Sequence, residues 1–264
     1  PKWCGKTWTS LKHANSVSYM TEKSPRDLAK VDPKYIFNQD RPQLIDEWQL
    51  VPSIWDAVRH ECDSDHDKGK FILTGSTSLS KEEREDEIFH SGTGRIAIMK
   101  MNPMSLYESG DSTGKVSIAD MKNGIFKNGL NDKITLQKLA NLIIRGGWPS
   151  NIETPEDRIG IIPRSYIDAI LDKDINDDKK RDKNKMSMLL KSLARNESTI
   201  ANKKTLLKDI EQCGNEKEII ESRMTIDDYL DVLNRLHITE NQNAYSENYR
   251  SPDRLGKAVK RHFT

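Results

Sequence analysis

The sequence predicts an α/β fold, a parallel sheet with helices on its faces, followed by a mainly helical C-terminal part. Three observations predict it. Short apolar runs at 16–20, 44–45, 71–73 and 96–101 alternate with stretches of helical spacing, as in strands joined by crossover helices. A Gly5-Lys6-Thr7 triplet stands ahead of the first run. After Pro149 and Pro155 the strand-like runs almost disappear.

Taken in order, Trp3-Cys4-Gly5-Lys6-Thr7 reads as the back half of a phosphate-binding loop, G-x-x-x-x-G-K-[ST]. The first glycine would fall one residue before Pro1, so the chain is expected to begin inside the motif, without that glycine and the strand that precedes such loops. A nucleoside triphosphate concentrates negative charge in a small volume. Backbone N–H groups at a helix start point at it, and Gly5 lets the backbone come close. Cys4 is a spacer whose backbone matters, Lys6 reaches the terminal phosphates, and the Thr7 hydroxyl ligates Mg²⁺. A lone Gly-Lys-Thr also occurs in ordinary surface turns.

The second motif turns the reading toward nucleotide. Gln43-Leu44-Ile45 suits a buried parallel strand, and it ends in Asp46-Glu47, where ligands of parallel sheets sit. Asp46 is the candidate Mg²⁺ ligand, directly or through water. Glu47 is the candidate base for the attacking water. Residues 52–62 follow as a helix with Ile54, Trp55 and Val58 on one face. Lys70-Phe71-Ile72-Leu73 is the next strand, and Thr74-Gly75-Ser76 at its end suits side chains that sense the γ-phosphate; it also suits an ordinary strand-to-loop turn. An acidic helical segment is expected at 81–89. Ser91-Gly92-Thr93-Gly94-Arg95 then leads into a strand at 96–101. Arg95 is either a guanidinium that spreads charge over the transferring phosphoryl group or a solvated arginine. Residues 132–144 carry Ile134, Leu136, Leu139, Leu142 and Ile143 at helical spacing, the shape of a small lid helix.

These motifs resemble a prokaryotic family. Leu44-Ile45-Asp46-Glu47-Trp48-Gln49, Leu73-Thr74-Gly75-Ser76, Gly94-Arg95, Asn102-Pro103-Met104-Ser105-Leu106-Tyr107-Glu108 and Ile144-Arg145-Gly146-Gly147-Trp148-Pro149 follow the order found in AAA-type ATPases with a C-terminal domain of unknown function, DUF4143. Against that pattern, the first glycine and a further, often nuclease-like, C-terminal region are expected to lie outside this sequence. The resemblance implies ATP and Mg²⁺ as ligands, held by Cys4, Gly5, Lys6, Thr7 and Asp46. It implies catalytic roles for Glu47, Thr74, Ser76 and Arg95.

The chain is expected to divide into an ATPase core at 1–150 and a helical domain at 151–264. Residues 155–175 read as one helix that Pro163 should kink or break. Residues 172–185 are a dense mixed-charge run and read as a solvated linker or helix end. Helices follow at 186–195, 201–212 and 225–236, the last with Thr225 as N-cap and Asp228 completing an approximate capping box. A short hairpin is expected at 238–249. Three helices and a hairpin make a winged-helix pattern, but the candidate reading helix opens with Asp227, Asp228 and Asp231, poor groups for DNA. The basic groups lie at the end instead: Arg250, Arg254, Lys257, Lys260 and Arg261, against Asp253.

In composition, 42 Lys and Arg balance 41 Asp and Glu, which fits a soluble, cytoplasmic protein. No apolar run is long enough to span a bilayer. Cys4, Cys62 and Cys213 lack the spacing of a disulfide framework or zinc site. Three functions stay open: an ATP-hydrolysing switch, acting alone or as a homo-oligomer; a DNA-binding module with a vestigial nucleotide site; and an interaction protein that binds nucleotide without turnover.

Overall fold

The computed structural model describes residues 1–64, 67–76, 92–129, 133–176, 180–215, 219–220, 222–245 and 259–264. The expected acidic segment at 81–89, Ser91, and the basic residues Arg250, Arg254 and Lys257 lie outside them. The contacts group into two units. One holds Pro1–Lys2, Lys6–Met99 and Ala169–Thr264; the other holds Trp3–Gly5 and Lys100–Asp168.

In the first unit, α1 (Lys6–Leu11) leads to β1 (Ser16–Tyr19), α2 (Lys23–Val31), β2 (Gln43–Asp46), α3 (Ile54–Asp63) and β3 (Phe71–Thr74). The strands form one parallel sheet in the order β1-β2-β3. Every residue of β2 is buried, and Leu44 and Ile45 point to opposite faces with no exposure. That explains its uninterrupted apolar pair: a central parallel strand has no solvent face. Ile45 joins Met20, Ala29, Ile36, Phe37, Val51, Ile54 and Val58 in the core on one face. Truncating Ile45 to Ala would remove about 2–5 kcal/mol.

The expected strand at 96–101 does not form. Its residues have no ladder partner among the described ones, and Ile98 and Met99 are 86% and 92% exposed. An apolar run becomes a strand only where a sheet edge and a covering layer receive it, and no sequence pattern of this length reports that.

The C-terminal part of the first unit holds α7 (Lys183–Arg195), α8 (Lys203–Cys213) and α9 (Arg223–Arg235). An antiparallel pair follows, β4 (Thr239–Gln242) with β5 (Lys260–Phe263). Thr239–Gln242, within the expected short hairpin at 238–249, thus pairs with a strand much further along the chain, while residues 246–249 of that hairpin lie outside the described ones. The helices bury Met186, Leu189, Leu206, Ile210, Ile226 and Leu233. The cap of α9 is Ser222, whose hydroxyl accepts from the Thr225 N–H; Thr225 lies within the first turn and not at the N-cap. Ser222 is an equally good cap residue, and the helix starts one turn early because Arg223 and Met224 are compatible with helix.

The mixed-charge run at 172–185 is not simply a solvated linker. Arg181 is buried, with its side chain only 2% exposed. Its guanidinium grips the Asp228 carboxylate through Nε and Nη2, at 2.9 and 3.0 Å, and donates from Nη1 to the Ile175 carbonyl. Asp182 caps α7, and its own N–H donates to the Tyr229 hydroxyl. Charge density on a sequence does not reveal which one of many charges is paired and buried.

The second unit includes α4 (Ile118–Lys122) and α5 (Leu136–Arg145). The helix α6 (Ile161–Asp172) runs through the boundary between the two sets of residues. It starts at Ile161, not near 155, and Pro163 sits in its first turn. There the missing N–H has no intrahelical acceptor to lose, so the proline neither kinks nor breaks the helix. Two of the motifs have clear structural jobs here. Ser105 and Glu108 bond reciprocally: the Ser105 N–H and hydroxyl donate to the Glu108 carboxylate, and the Glu108 N–H donates back to the Ser105 hydroxyl. That is capping-box chemistry in a turn. Gly147 sits where a Cβ would lie 2.3 Å from the Met104 carbonyl oxygen, and its own carbonyl accepts from the Met104 N–H at 2.7 Å. Arg145 is buried and bonds Asp111 and Ser109.

Candidate functional site

Parallel pairing in register sets the site. Tyr19, Asp46 and Thr74 are neighbours at the carboxyl ends of β1, β2 and β3. Asp46 and Thr74 therefore meet on one edge, and the Thr74 hydroxyl donates to Asp46 Oδ1 at 2.5 Å. α1 packs beside β2 and β3, which brings Thr7 to the same carboxylate. Its hydroxyl donates to the same Oδ1 at 2.8 Å. Residues 39 and 28 positions away from Asp46 thus converge on one oxygen.

Glu47 follows with φ 56° and ψ 46°, the left-handed region, which costs a side-chain-bearing residue about 1–2 kcal/mol. A tight turn over Trp48–Leu50 then swings the chain back, closed by the Leu50 N–H to the Glu47 carbonyl. Trp48 stacks on Trp55 of α3 at 5.1 Å between ring centres and pins the turn. Glu47 Oε2 accepts from Gln49 Nε2 at 2.5 Å and from the Ser76 hydroxyl at 3.0 Å. Asp46, Thr74 and Ser76 are each 7% exposed. Among the described residues no cation pairs with Asp46 or Glu47.

In the loop, Gly5 has φ 94°, a conformation that favours glycine, and Cys4 is buried with its thiol toward the Met101 carbonyl. Trp3, Cys4 and Gly5 group with the second unit, Lys6 and Thr7 with the first. Lys6 Nζ donates to the Pro1 carbonyl at 2.7 Å, so its amine folds back across its own loop. Arg95 bonds Asp63 at the end of α3 through Nε at 2.7 Å. That hydrogen bond is the leading reason the Asp63 carboxyl is held below the usual range, against a smaller opposing effect of burial. The structure thus brings Thr7, Asp46, Glu47, Thr74 and Ser76 together, and gives Arg95 a different partner.

Sequence reasoning gave Gln49 no role, although it stands in the motif; the signal was the glutamine two residues after Glu47, and its meaning depends on the left-handed Glu47 that reverses the chain. The donor set fits Mg²⁺. One hydroxyl and one carboxylate suffice for an ion that keeps several waters and takes its remaining oxygens from phosphates. Among the described residues no group of three or more His, Cys, Asp or Glu is arranged to cage a metal. No helix among them is long and apolar enough to cross a membrane.

The acids of the candidate reading helix are arranged differently. Asp227 pairs with Lys203 and Asp228 with Arg181. Arg261 turns inward to the Ala201 carbonyl, and burial pulls its pKa below that of a solvated guanidinium.

Comparison with known families gives two matches. Residues 1–110 match a family described as an AAA domain. Residues 136–264 match one described as a domain of unknown function, DUF8612, where the sequence motifs resembled chains carrying DUF4143. No curated protein and no solved structure matches the chain.

Proposed function

Starting from a chain that joins an AAA domain to a C-terminal domain of unknown function, we propose that it is an ATP-binding switch that hydrolyses ATP with Mg²⁺. The observation that supports this most is the convergence of the Thr7 and Thr74 hydroxyls on one Asp46 oxygen, with Glu47 beside it. Mg²⁺, when bound, supplies charge neutralisation for the phosphates. Thr7 and Asp46, now joined by a hydrogen bond, would hold it. Lys6 leaves the Pro1 carbonyl for the terminal phosphates, a stronger, charge-assisted partner. Glu47 takes the proton of the attacking water. Thr74 or Ser76 turns its hydroxyl from the acid to the γ-phosphate and so reports its presence. The C-terminal helices respond to that change.

A DNA-reading function draws less support. The acids in the early turns of α9 would repel DNA phosphates and pair with cations of this chain, and Arg261 bonds the Ala201 carbonyl.

Equilibrium titration of the full-length protein with ATP tests the reading. Lys6→Ala should weaken binding by on the order of tenfold or more, the scale of a charge-assisted phosphate contact. Unchanged affinity would sink the assignment of the loop.

A further inference from the structure

We propose that Gln49 is a positioning residue for Glu47, and that Gly75 is the notch that lets it reach. The inference rests on the hydrolytic reading above and deepens it.

Glu47 has an unusual backbone and would swing freely if held by that alone. Its Oε2 is fixed from two sides, by Gln49 Nε2 at 2.5 Å and by Ser76 Oγ at 3.0 Å. A carboxylate only accepts hydrogen bonds, so the amide must present its nitrogen to Glu47 and turn its oxygen away. That oxygen, Oε1, is buried without a hydrogen bond among the described residues, directly against Gly75. A Cβ on Gly75 would lie 2.5 Å from Oε1 and 3.3 Å from Cδ. Gly75 does not have a positive φ, so its lack of a side chain is needed for space and not for backbone freedom.

Leaving an amide oxygen buried and unbonded is costly, and the neighbouring amide–carboxylate bond offsets that cost. The arrangement is therefore directed at Glu47. It is also independent of the nucleotide contacts: neither Gln49 nor Gly75 bonds Lys6, Thr7 or Asp46. Ser76, by contrast, touches Glu47 and is also a candidate phosphate sensor. Gln49 is thus the group that orients the base without another duty, through a glutamine two residues on, a left-handed residue and a tight turn.

The test compares Gln49→Ala, Gln49→Glu and Gly75→Ala in the full-length protein, alone and with Glu47→Gln. Steady-state ATP hydrolysis, equilibrium ATP titration and thermal unfolding are read for each. Gln49→Ala should lower kcat by about tenfold to a hundredfold, the scale of a misplaced catalytic group, with ATP affinity and melting temperature nearly unchanged. Gln49→Glu keeps the shape but opposes Glu47 with like charge, and should be at least as slow. Gly75→Ala should match Gln49→Ala in kcat. In the Glu47→Gln background, Gln49→Ala should have no further effect, since its target is already gone. Wild-type turnover in Gln49→Ala, or an equal fractional loss with and without the Glu47 carboxylate, overturns the inference alone. No hydrolysis by the wild-type protein, or normal hydrolysis by Glu47→Gln, overturns the hydrolytic reading and the inference with it.

Discussion

Two pairs of adjacent acids, Asp46-Glu47 at the edge of the sheet and Asp227-Asp228 at the start of α9, look alike in sequence and are built in opposite ways. Asp227 and Asp228 meet cations, Lys203 and Arg181. Among the described residues, Asp46 and Glu47 meet hydroxyls and an amide: Thr7 and Thr74 on one, Gln49 and Ser76 on the other. A carboxylate matched by a buried guanidinium has its charge neutralised and serves the fold. A carboxylate held by neutral donors is fixed in direction without a cation beside it among the described residues. What separates the two pairs here is the charge of their partners, which the residue type does not disclose.

The comparison breaks most visibly at Asp228. Asp228→Ala takes the two-pronged carboxylate away from the buried Arg181 guanidinium and should cost about 3–5 kcal/mol, read as a large fall in melting temperature with nucleotide affinity retained in the surviving folded fraction. Glu47→Gln should do the reverse. It should suppress hydrolysis by on the order of a hundredfold while ATP stays bound and denaturant stability changes little. If Glu47→Gln unfolds the protein as readily as Asp228→Ala, the two pairs are not different in kind. Asp46→Asn should weaken ATP binding by about tenfold in Mg²⁺ and much less in a chelator, because under the proposed function the lost charge would face the ion.

Asp111 sharpens the contrast by falling between the pairs, with both a cation and a hydroxyl for partners. Burial pushes its carboxyl up, but the hydrogen bonds from Arg145 and Ser109 outweigh it, and the net position is below the usual carboxylate range. Its folded-state pKa is thus depressed. The stability it adds is fully present above the ordinary carboxylate value and is lost as pH falls through the lower folded value. Asp111→Asn should cost on the order of 1 kcal/mol at neutral pH, and the gap to wild type should close in acid unfolding curves. The smallest effect is expected at Lys203, whose pair with Asp227 is about half exposed on both sides. Lys203→Ala should cost under about 1 kcal/mol, and salt should shrink the difference further.

The sheet and the acids at its edge were legible because they are written in local patterns: an apolar pair ending in Asp46-Glu47, and an apolar run ending in Thr74. Parallel strands bury both faces, so the run itself is the signal. What stayed hidden was set by partners distant in sequence. Arg181 looks like any charge in its run until Asp228, 47 residues on, is seen to hold it. The run at 96–101 has the residues of a strand but no strand neighbour among the described residues. Arg95 suits a phosphate contact by type, yet Asp63 takes it in this chain. Gln49 was visible as a letter of a motif, but its reach to Glu47 depends on a backbone reversal that no residue preference announces.

The side-by-side register of Tyr19, Asp46 and Thr74 carries a consequence for insertions and deletions. Successive residues of a strand face opposite sides, so losing one residue from β3 ahead of Thr74 would move the Thr74 hydroxyl to the far side of the sheet, opposite Ile45, and put Gly75 opposite Asp46. A substitution changes one group; a deletion there exchanges every group at once. Spacing along these strands should therefore be held more strictly than identity. Val, Ile and Leu should interchange within β3 with modest loss, while a single codon removed between Lys70 and Thr74 should abolish the site in a library scan even where the protein is still made.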